Sequence, residues 1–399
     1  MRILLVHQNF PGQFRDIAPA LCDRSHELKA ISCCDRRTDP RIEVLRYQFN
    51  SKERNGIHAL TGEVDEWITR AELAAQQAKA LKDRGWAPDV ILAHPGWGEA
   101  MVLKQVFPAT PLVIWPELWL KPEHLGINEA SLAVEQAHYL RVKNWLIDGA
   151  MADASHAVLP TQYQAKSFPE RWQSKISVIP EGVAEQLFQQ SRLESLTINP
   201  SMTLGPGKQV VTFISRNLEP MRGFHLFMRA LPELQQKLPE LEVVIVGGDG
   251  VSYSSKPGAD KTWKQVLLEE LEDKLDMDRI HFFGRIPHQE LIKLYRRSDL
   301  HVYLSNAFVL SWSLLEVMAT GTRVLTADNP MLREIDTELA DLHAWDPGRG
   351  PLSESILRAL NEPPTMEQCR NQQMQKLYGL AACAQKLERL LLETASGSF

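Results

Sequence analysis

The segment LHVYLSNAFVLSWSLLEVMATGTRVLTA (residues 300–327) contains a complete strand–helix–strand unit. LHVYLS and TRVLTA are short apolar runs typical of buried strands, and SLLEVMATG has the apolar spacing of a helix. Gly321 stands where that helix must stop before the second strand. A strand, a crossover helix and a second strand predict a parallel strand pair, so this segment belongs to a parallel sheet covered by helices.

Apolar runs followed by helical patterns continue along the chain and fall into two groups. Between them lies SLTINPSMTLGPGK (195–208), a polar stretch with Pro and Gly that we interpret as a linker. We therefore predict a first domain at residues 1–195 and a second at 196–375, each with a parallel sheet. We predict that a last helix (376–399) crosses back to the first domain; the alternative is a terminal helix of the second. The predicted strands are RILLV (2–6), ELKAIS (27–32), DVILA (89–93), LVIW (112–115) and HAVLP (156–160), then QVVTFIS (209–215), EVVIVG (242–247), RIHFFG (279–284), LHVYLS and TRVLTA.

The composition is that of an ordinary soluble protein and excludes several classes. The chain has 399 residues, more than one hydrophobic core usually supports, with 44% hydrophobic and 24% charged residues. A net charge of −6 gives no overall basic field for nucleic acid. The five cysteines lack the CxxC spacing of a zinc site and are too few for a disulfide framework. We expect a cytoplasmic protein without a signal peptide and with at most peripheral membrane contact.

Ligands of open parallel sheets bind beyond the carboxyl ends of the strands, so the loops there hold the candidate site residues. After RILLV, Gly12 allows a backbone to approach a ligand closely, although a plain strand-to-helix turn explains it equally well. His94 ends DVILA beside two glycines that flank Trp97; a structural histidine is the alternative to a site role. Trp115 and Glu117 lie at the end of LVIW, where aromatic rings either stack on sugars or pack in the core.

The second domain offers charged groups at the same edge of its sheet. Arg216 and Arg222 follow QVVTFIS at the start of a helix, where two guanidinium groups can bind a diphosphate, unless they are ordinary surface arginines. A helix that begins near Ser311 presents backbone N–H groups to a phosphate. Glu316, about one turn further, can accept two hydrogen bonds from a ribose. Core burial would explain the apolar neighbours of Glu316 but not the acid itself.

Two further patterns are weak. VVIVGGDG (243–250) lacks the GxGxxG spacing of a dinucleotide-binding loop, and a polar loop rather than a helix follows it. Asp276 and Asp278 have the spacing of a metal-binding pair, but they lie in a charged run typical of a solvated helix face. We therefore expect neither NAD nor a bound metal.

Six motifs in a fixed order resemble one known family. They are HQNFPGQF, HPGWG and VIPEGV (178–183) in the first half, and SRNLEPMRG, FFGRIPHQEL (282–291) and LLEVMATG in the second. The set is similar to the retaining glycosyltransferases of family 4, in a subgroup with the HQNFPGQF start and the VLSWSLLE motif. The resemblance implies the GT-B architecture, an α/β fold in which two Rossmann-like parallel-sheet domains face each other across a deep cleft. It also implies a nucleotide-sugar donor, no cofactor and no metal.

The resemblance implies roles for individual residues as well. Gly12 would lie under the donor diphosphate, and His94 would face the donor sugar near the reacting carbon. Arg216 and Arg222 would neutralise the diphosphate leaving group, with Arg222 where the family usually has lysine. A further set would hold the nucleotide: Arg285 and Ile286 at the base, largely through backbone, the amides of Leu310 and Ser311 at the phosphates, and Glu316 at the ribose.

One position departs from the family pattern. The family usually has a second glutamate eight residues before the ribose-binding one, where it contacts hydroxyl groups of the donor sugar; here that residue is Phe308. The identity of the donor sugar is therefore left open. We interpret Phe308 as a feature of the subgroup rather than as loss of function.

We expect a metal-independent hexosyltransferase that moves a hexose, with retention, from a UDP- or GDP-type donor to an acceptor hydroxyl in glycan or glycoconjugate biosynthesis. The acceptor is a saccharide, a lipid-linked glycan or a small molecule, and Trp97, Trp115 and Glu117 are the candidate residues that bind it. One alternative is a nucleotide-sugar 2-epimerase of the same fold, which needs acid and base groups around the sugar. The other is a catalytically silent nucleotide-binding protein.

Overall fold

The chain divides into two compact units in the computed structural model. The first contains Met1–Gly182 and Tyr378–Phe399, and the second contains Val183–Leu377. Residues 183–195, which the sequence placed in the first domain, fall in the second unit in this division. Each unit has its own parallel sheet and its own core. The structure describes residues 1–51, 56, 58–127, 129, 132–189, 191–199, 202–252, 254–258, 260–339, 342–362 and 367–398.

The first unit is built on a seven-stranded sheet whose neighbouring strands are all parallel. Its strands are β1 (Arg2–Val6), β2 (Glu27–Ser32), β3 (Glu43–Arg46), β4 (Val90–Ala93), β5 (Leu112–Ile114), β6 (His156–Leu159) and β7 (Ile176–Val178), in the order β3-β2-β1-β4-β5-β6-β7. The helices are α1 (Ile17–Asp23), α2 (Ala59–Asp83), α3 (Leu103–Val106), α4 (Val134–Asp153), α5 (Gln162–Ser167) and α6 (Glu170–Gln173). β4 and β5 are buried along their whole length, as expected for central strands covered on both faces.

The second unit contains a six-stranded parallel sheet and a two-stranded antiparallel hairpin. The hairpin is β8 (Leu196–Asn199) and β9 (Met202–Leu204), and it lies in the stretch predicted as a linker. The sheet has β10 (Gln209–Asn217), β11 (Leu241–Gly248), β12 (Ile280–Phe282), β13 (Leu300–Tyr303), β14 (Val324–Ala327) and β15 (Leu342–Trp345), in the order β12-β11-β10-β13-β14-β15. The helices are α7 (Phe224–Lys237), α8 (Trp263–Glu270), α9 (His288–Arg297), α10 (Trp312–Ala319), α11 (Pro330–Leu339), α12 (Leu352–Asn361) and α13 (Glu367–Tyr378).

The last helix, α14 (Leu380–Ser396), packs on the first unit. Its Leu387 and Leu391 are fully buried in the same core cluster as Leu5 of β1. Glu388 accepts a hydrogen bond from Arg24 Nη1 at 2.9 Å, and its other oxygen lies 2.7 Å from His26 Nε2. Apolar burial and these polar contacts together fasten α14 against α1.

The order of strands reverses once in each sheet, and the predicted site loops flank that point. In the first unit the reversal lies between β1 and β4, whose carboxyl ends lead into His7–Phe14 and into the HPGWG loop. In the second unit it lies between β10 and β13, which lead into the RNLEPMRG loop and into residues 304–311. Helices diverge to opposite faces at such a point, which is where ligands of doubly wound sheets bind. Each unit thus places its two candidate loops side by side.

Three strands of the two parallel sheets were not predicted from the sequence: β3, β7 and β15. All three lie at a sheet edge, where one side lacks a neighbouring strand of the same sheet. Edge strands are short and only partly buried, so their apolar pattern is weak. Among the described residues, no helix is both long enough and apolar enough to cross a membrane.

Candidate functional site

Two buried histidines end the central strands of the first unit, His7 after β1 and His94 after β4. Their ring centroids are 5.1 Å apart. The Asn9 backbone N–H donates to His7 Nδ1 at 2.9 Å, and the Gly96 N–H donates to His94 Nδ1 at 3.0 Å. Because Nδ1 accepts in both rings, the neutral imidazoles carry their hydrogen on Nε2. Of the two, only His94 was predicted as a site residue from the sequence, although both follow a buried strand directly.

Burial keeps both imidazoles uncharged. It lowers the pKa of His7 to about 4, with a smaller contribution from the positive charge of Arg36. It lowers the pKa of His94 well below the ordinary value, and the neighbouring His7 acts in the same direction. Within the part of the chain that the structure describes, His94 Nε2 has no hydrogen-bond partner, and the nearest carboxylate oxygen, Glu117 Oε1, is 3.9 Å away. His94 therefore offers an unused N–H donor at the end of β4.

The glycines of these loops make room for the histidine rings. Gly12 has φ +47°, and a Cβ there would lie 2.5 Å from the His7 ring. A Cβ on Gly96 would lie 2.6 Å from the ring of His94. Trp97 completes the cluster by stacking on His94, with centroids 4.2 Å apart and planes 22° apart. Gly12 is thus required by the packing of His7 whether or not a ligand approaches it.

The other two candidate residues of the first unit differ in exposure. Trp115 is only 1% exposed; its ring contacts Phe14, and its carbonyl accepts a hydrogen bond from Gln13 Nε2 at 3.2 Å. Its ring therefore packs in the core in this structure and does not present a stacking face. Glu117 has a side chain that is 47% exposed, and Trp97 is partly exposed. Of the three predicted acceptor-binding residues, these two can be reached from solvent.

A buried acid that was not predicted from the sequence fixes the HPGWG loop. Glu99 is fully buried, and the hydroxyl of Tyr47 donates to its Oε1 at 2.6 Å. Burial raises the pKa of Glu99. Gly98, just before it, has φ +105°, and a Cβ there would collide with the backbone of Trp67 in α2. The loop that carries His94 and Trp97 is therefore fixed by packing against α2 and by the hydrogen bond from Tyr47.

In the second unit, the RNLEPMRG loop begins with a bulge. Ile214 to Asn217 on β10 pair with Val246 to Gly248 on β11, so β10 has one extra residue there. Arg216 lies in this bulge with an exposed side chain. Bulges re-aim side chains at the edges of sites, and this one turns Arg216 away from the regular alternation of β10.

Arg222 lies deeper in the same loop. Its Nη1 donates to the hydroxyl of Ser305 at 3.4 Å, which links the loop after β10 to the loop after β13. The following Gly223 has φ +76°, and a Cβ there would collide with Leu304. The two predicted diphosphate ligands thus differ, since Arg222 is fixed between neighbouring strand ends and Arg216 is exposed.

Glu219, another residue missed from the sequence, holds this loop in place. It is fully buried, and its Oε2 accepts hydrogen bonds from the backbone N–H groups of Ser252 and Ser254, both at 2.9 Å. The hydroxyl of Ser254 in turn accepts from the Met221 N–H at 3.0 Å. The polar loop after β11 is therefore fastened to the loop that carries Arg222.

The predicted base-binding residues follow β12. Arg285 is exposed, and its Nη2 donates to Asn217 Oδ1 at 3.2 Å. A Cβ on Gly248 would lie 3.0 Å from Arg285 Nε, so the guanidinium lies against the carboxyl end of β11. Ile286 is partly exposed. The loop after β12 thus adjoins the loop after β10.

Helix α10 contains the acid of the predicted ribose site. Leu314 and Leu315 are fully buried, whereas Glu316 is 6% exposed and its Oε1 lies 2.9 Å from Nε2 of His288 in α9. Ser311 precedes the helix, and its hydroxyl bonds that of Ser313 at 2.7 Å. The preceding segment is apolar, with Leu310 and Phe308 both buried. Where the family usually has its second glutamate, this chain has a buried phenyl ring.

Across the described residues, no group of three or more His, Cys, Asp and Glu side chains is arranged to hold a metal ion. Asp276 and Asp278 lie on the surface near Arg279, which pairs with Asp276 at 2.7 Å. The Asp276 carboxylate is thus engaged in that ion pair and as a helix cap, where its Oδ1 accepts from the Asp278 N–H at 3.1 Å.

Two family models match the chain one after the other. The family 4 group of glycosyl transferases matches residues 24–188, and glycosyl transferases group 1 matches residues 199–376. The two matches fall in different units, the first almost entirely in the first unit and the second within the second unit. The first match covers β2 to β7, and the second covers the sheet that carries Arg222 and Glu316.

Relatives and solved structures agree with these domains. A D-inositol 3-phosphate glycosyltransferase of Nocardia farcinica is 28% identical over 184 residues, which are 45% of this chain and 38% of that protein. The chain thus spans about two fifths of that relative. Sucrose-phosphate synthase from Thermosynechococcus elongatus has a TM-score of 0.72 at 17% identity over 100% of both chains. HepE of Anabaena, in complex with UDP, has a TM-score of 0.65 at 18% identity over 98% of this chain and 99% of that chain. At these identities the structural likeness shows the GT-B fold alone.

Proposed function

We propose that the protein is a retaining, metal-independent glycosyltransferase that transfers a hexose from a nucleoside diphosphate sugar to an acceptor hydroxyl. The observation that carries this proposal is the set of groups at the reversal point of the second sheet. Arg222, Arg285 and Glu316 come from three different loops or helices, and each matches one part of a nucleoside diphosphate. The UDP in the HepE structure favours a uridine donor over the guanosine alternative.

The mechanism follows from where charge develops. As the bond between the anomeric carbon and the phosphate oxygen breaks, the diphosphate leaves with the electron pair and the sugar ring becomes positive. Arg222 and Arg216 stabilise the leaving diphosphate together with the amides of Leu310 and Ser311 at the start of α10. Because these groups are fixed before the reaction, they supply positive charge without solvent reorganisation and without a metal ion.

Retention follows from a front-face route. The acceptor oxygen bonds to the anomeric carbon on the side that the diphosphate leaves, and its proton passes to the departing phosphate oxygen. His94 is neutral and carries an unused Nε2–H, so it donates to a hydroxyl group of the donor sugar and does not act as a general base. Gly12 lies against the diphosphate, and Trp97 and Glu117 contact the acceptor.

We further propose a cytoplasmic role in glycan or glycoconjugate synthesis with no bound cofactor. The acceptor is a saccharide, a lipid-linked glycan or a small molecule. The name of the Nocardia relative supports a hydroxyl of a polyol or sugar. The exposed Glu117 and Trp97 fit such an acceptor, since a carboxylate accepts from hydroxyls and an indole covers their C–H face.

A thermal-shift panel with UDP, GDP, ADP and dTDP tests the donor site first. One nucleotide should stabilise the protein by several degrees, and its sugar derivatives then identify the hexose. The rate of sugar transfer is measured next, and Arg216→Ala and Arg222→Ala should both lower it. Wild-type turnover in either variant would show that the arginine concerned is not a diphosphate ligand. If none of the four nucleotides stabilises the protein, the proposal as a whole is contradicted.

The two alternative functions are separated by one incubation. The protein is mixed with the nucleotide sugar that it binds, without an acceptor. An epimer of the sugar would indicate a 2-epimerase, for which Phe308 removes one of the expected acids. Binding without epimerisation, hydrolysis or transfer would indicate a silent nucleotide-binding protein.

A further inference from the structure

We propose that His288 is a positioning residue for Glu316, and that it sets how strongly the site distinguishes a ribose from a deoxyribose. The inference rests on the proposed function, because Glu316 is there the ligand of the ribose hydroxyl groups. His288 acts on the carboxylate and through it on the nucleotide.

The environment of Glu316 explains why it requires a partner. The residue belongs to α10, where Leu314, Leu315 and Val317 are fully buried, and its own side chain is 8% exposed. An ionised carboxylate in such surroundings is costly unless a hydrogen-bond donor compensates it. His288 provides that donor, because its Nε2 lies 2.9 Å from Glu316 Oε1. The imidazole itself is 51% exposed, so it compensates the acid without being buried in turn.

The contact also orients the acid. A glutamate has three side-chain torsions, and a hydrogen bond to one oxygen fixes the plane of the carboxylate. The two oxygens together have about four lone-pair sites, so accepting from His288 leaves capacity for a pair of ribose hydroxyls. Ordering the acid before the nucleotide arrives lowers the entropy cost of binding.

The position of His288 links two parts of the nucleotide site. It is the first residue of α9 and follows directly on the loop that carries Arg285 and Ile286. Pro287, between the loop and the helix, has the extended backbone of a helix cap, with φ −57° and ψ 145°. The loop proposed to frame the base and the helix proposed to hold the ribose are therefore joined through one side-chain contact. Loss of His288 should affect ribose recognition more than diphosphate recognition.

The second unit also contains a matched control. His281 Nε2 lies 2.8 Å from Glu242 Oε2, a pair with nearly the same geometry. Glu242 is near the amino end of β11, whereas the candidate loops follow the carboxyl ends of the strands. His281→Ala removes a histidine–glutamate contact of the same kind from the opposite edge of the sheet.

The test is calorimetric titration with UDP, GDP and their 2′-deoxy counterparts on the wild-type protein, His288→Ala, His288→Gln and His281→Ala. We expect the wild type to prefer the ribonucleotide about tenfold, in line with the loss of one hydrogen bond to a charged group. His288→Ala should reduce that preference to about twofold, with kcat changed less than KM for the donor. His288→Gln, whose amide can donate to Glu316, should restore most of it, and His281→Ala should leave it unchanged.

Two outcomes of the titration overturn the inference, and they differ in whether the proposed function falls as well. If no nucleoside diphosphate binds the wild type, the proposed function falls together with the inference. If the nucleotide binds and His288→Ala keeps the wild-type ribose preference, only the positioning role falls. A double variant His288→Ala/Glu316→Gln gives the same answer independently. Its loss of affinity should be smaller than the sum of the single losses, and additivity would contradict a role through Glu316.

Discussion

The carboxyl edges of the two sheets have the same topology and opposite chemistry. In each, the candidate loops flank the single reversal of strand order. The first unit places two buried, neutral imidazoles there, His7 and His94, beside the partly exposed Trp97 and with the exposed side chain of Glu117 3.9 Å from His94 Nε2. The second unit places charged groups there, Arg222 beside Ser305 and Glu316 beside His288.

The proposed function assigns a different part of the donor to each edge, and this difference gives the reason. Guanidinium groups and a helix N-terminus are effective against a diphosphate, whose charge increases in the transition state. Neutral N–H donors beside an aromatic ring are better matched to hydroxyl groups, which they can bind without adding charge next to a developing cationic sugar. Substitution of these groups tests the proposed assignment of the diphosphate to one edge and the sugar hydroxyl groups to the other.

The largest effect is expected from Arg222→Ala. Because Arg222 is partly buried and fixed by Ser305, its loss should lower kcat/KM by about 10²- to 10³-fold, the usual cost of one preorganised charge-stabilising group. Arg222→Lys should retain much of the activity, since the family usually has lysine at this position. Steady-state kinetics with the donor measures both.

Arg349→Ala is the control for Arg222. Arg349 belongs to the same unit, and its side chain is 85% exposed, so its removal should leave kcat/KM within about twofold. A loss in Arg222→Ala no larger than that of Arg349→Ala would contradict the assignment of charge stabilisation to this edge.

A smaller effect is expected at the neutral edge. His94→Phe keeps a ring that can stack on Trp97 but removes the Nε2–H donor. Transfer should fall by about 10- to 30-fold, which corresponds to one lost hydrogen bond, while the affinity for the free nucleoside diphosphate stays within about twofold. Donor kinetics and calorimetry together show the split.

The matched control is His156→Gln, because His156 is a buried histidine of the same unit that bonds the Ser177 hydroxyl on β7. Its substitution should change stability but not transfer. If His94→Phe weakened UDP binding as much as it slowed transfer, His94 would contact the nucleotide rather than the sugar.

The strands and loops that carry these residues could be predicted because their signals are local. β1, β4, β10 and β13 are largely apolar runs, and the turn-forming residues after them indicate where each ends. His94 could be selected for the same reason. The edge strands β3, β7 and β15 could not, since partial burial leaves no clear pattern.

The contacts that support the candidate site could not be predicted, because they join residues far apart in the chain. Tyr47 and Glu99 are 52 residues apart, and His288 and Glu316 are 28 apart. The packing of the His7 ring against Gly12 depends on the positive φ of that glycine, which the hydrophobic periodicity of the sequence does not indicate. Trp115 and Trp97 both lie at or just after the end of a predicted strand, so the sequence does not distinguish them. Trp115 nevertheless packs in the core, whereas Trp97 is partly exposed.

The neutral edge should also give the first unit a pH-dependent stability. The pKa of His7 is about 4 in the folded protein, against an ordinary value of 6.5, so between these values the unfolded chain binds more protons than the folded one. The unfolding free energy therefore decreases as pH falls from about 6.5 towards 4, by at most about 1.4 kcal/mol per pH unit for this group. Above pH 6.5 the penalty is absent.

His7→Asn isolates that contribution, since an asparagine oxygen can accept from the Asn9 N–H but does not titrate. Urea unfolding at pH 7, 6 and 5 should give a shallower pH slope in the variant. Phe14→Leu, which removes a ring next to His7, should lower stability at every pH and leave the slope unchanged. Equal slopes in His7→Asn and the wild type would show that His7 is not buried in its neutral form.

The smallest effect is expected from Arg285→Ala. The side chain of Arg285 is exposed, so solvent screens its charge. If the loop after β12 frames the base through backbone groups, the affinity for UDP should fall by only about threefold, and the affinity for pyrophosphate, which has no base, should not change. Calorimetry with both ligands measures this. A loss approaching that of Arg222→Ala would instead make Arg285 a primary phosphate ligand, and the charge of this edge would then come from two loops rather than from the one that holds Arg222.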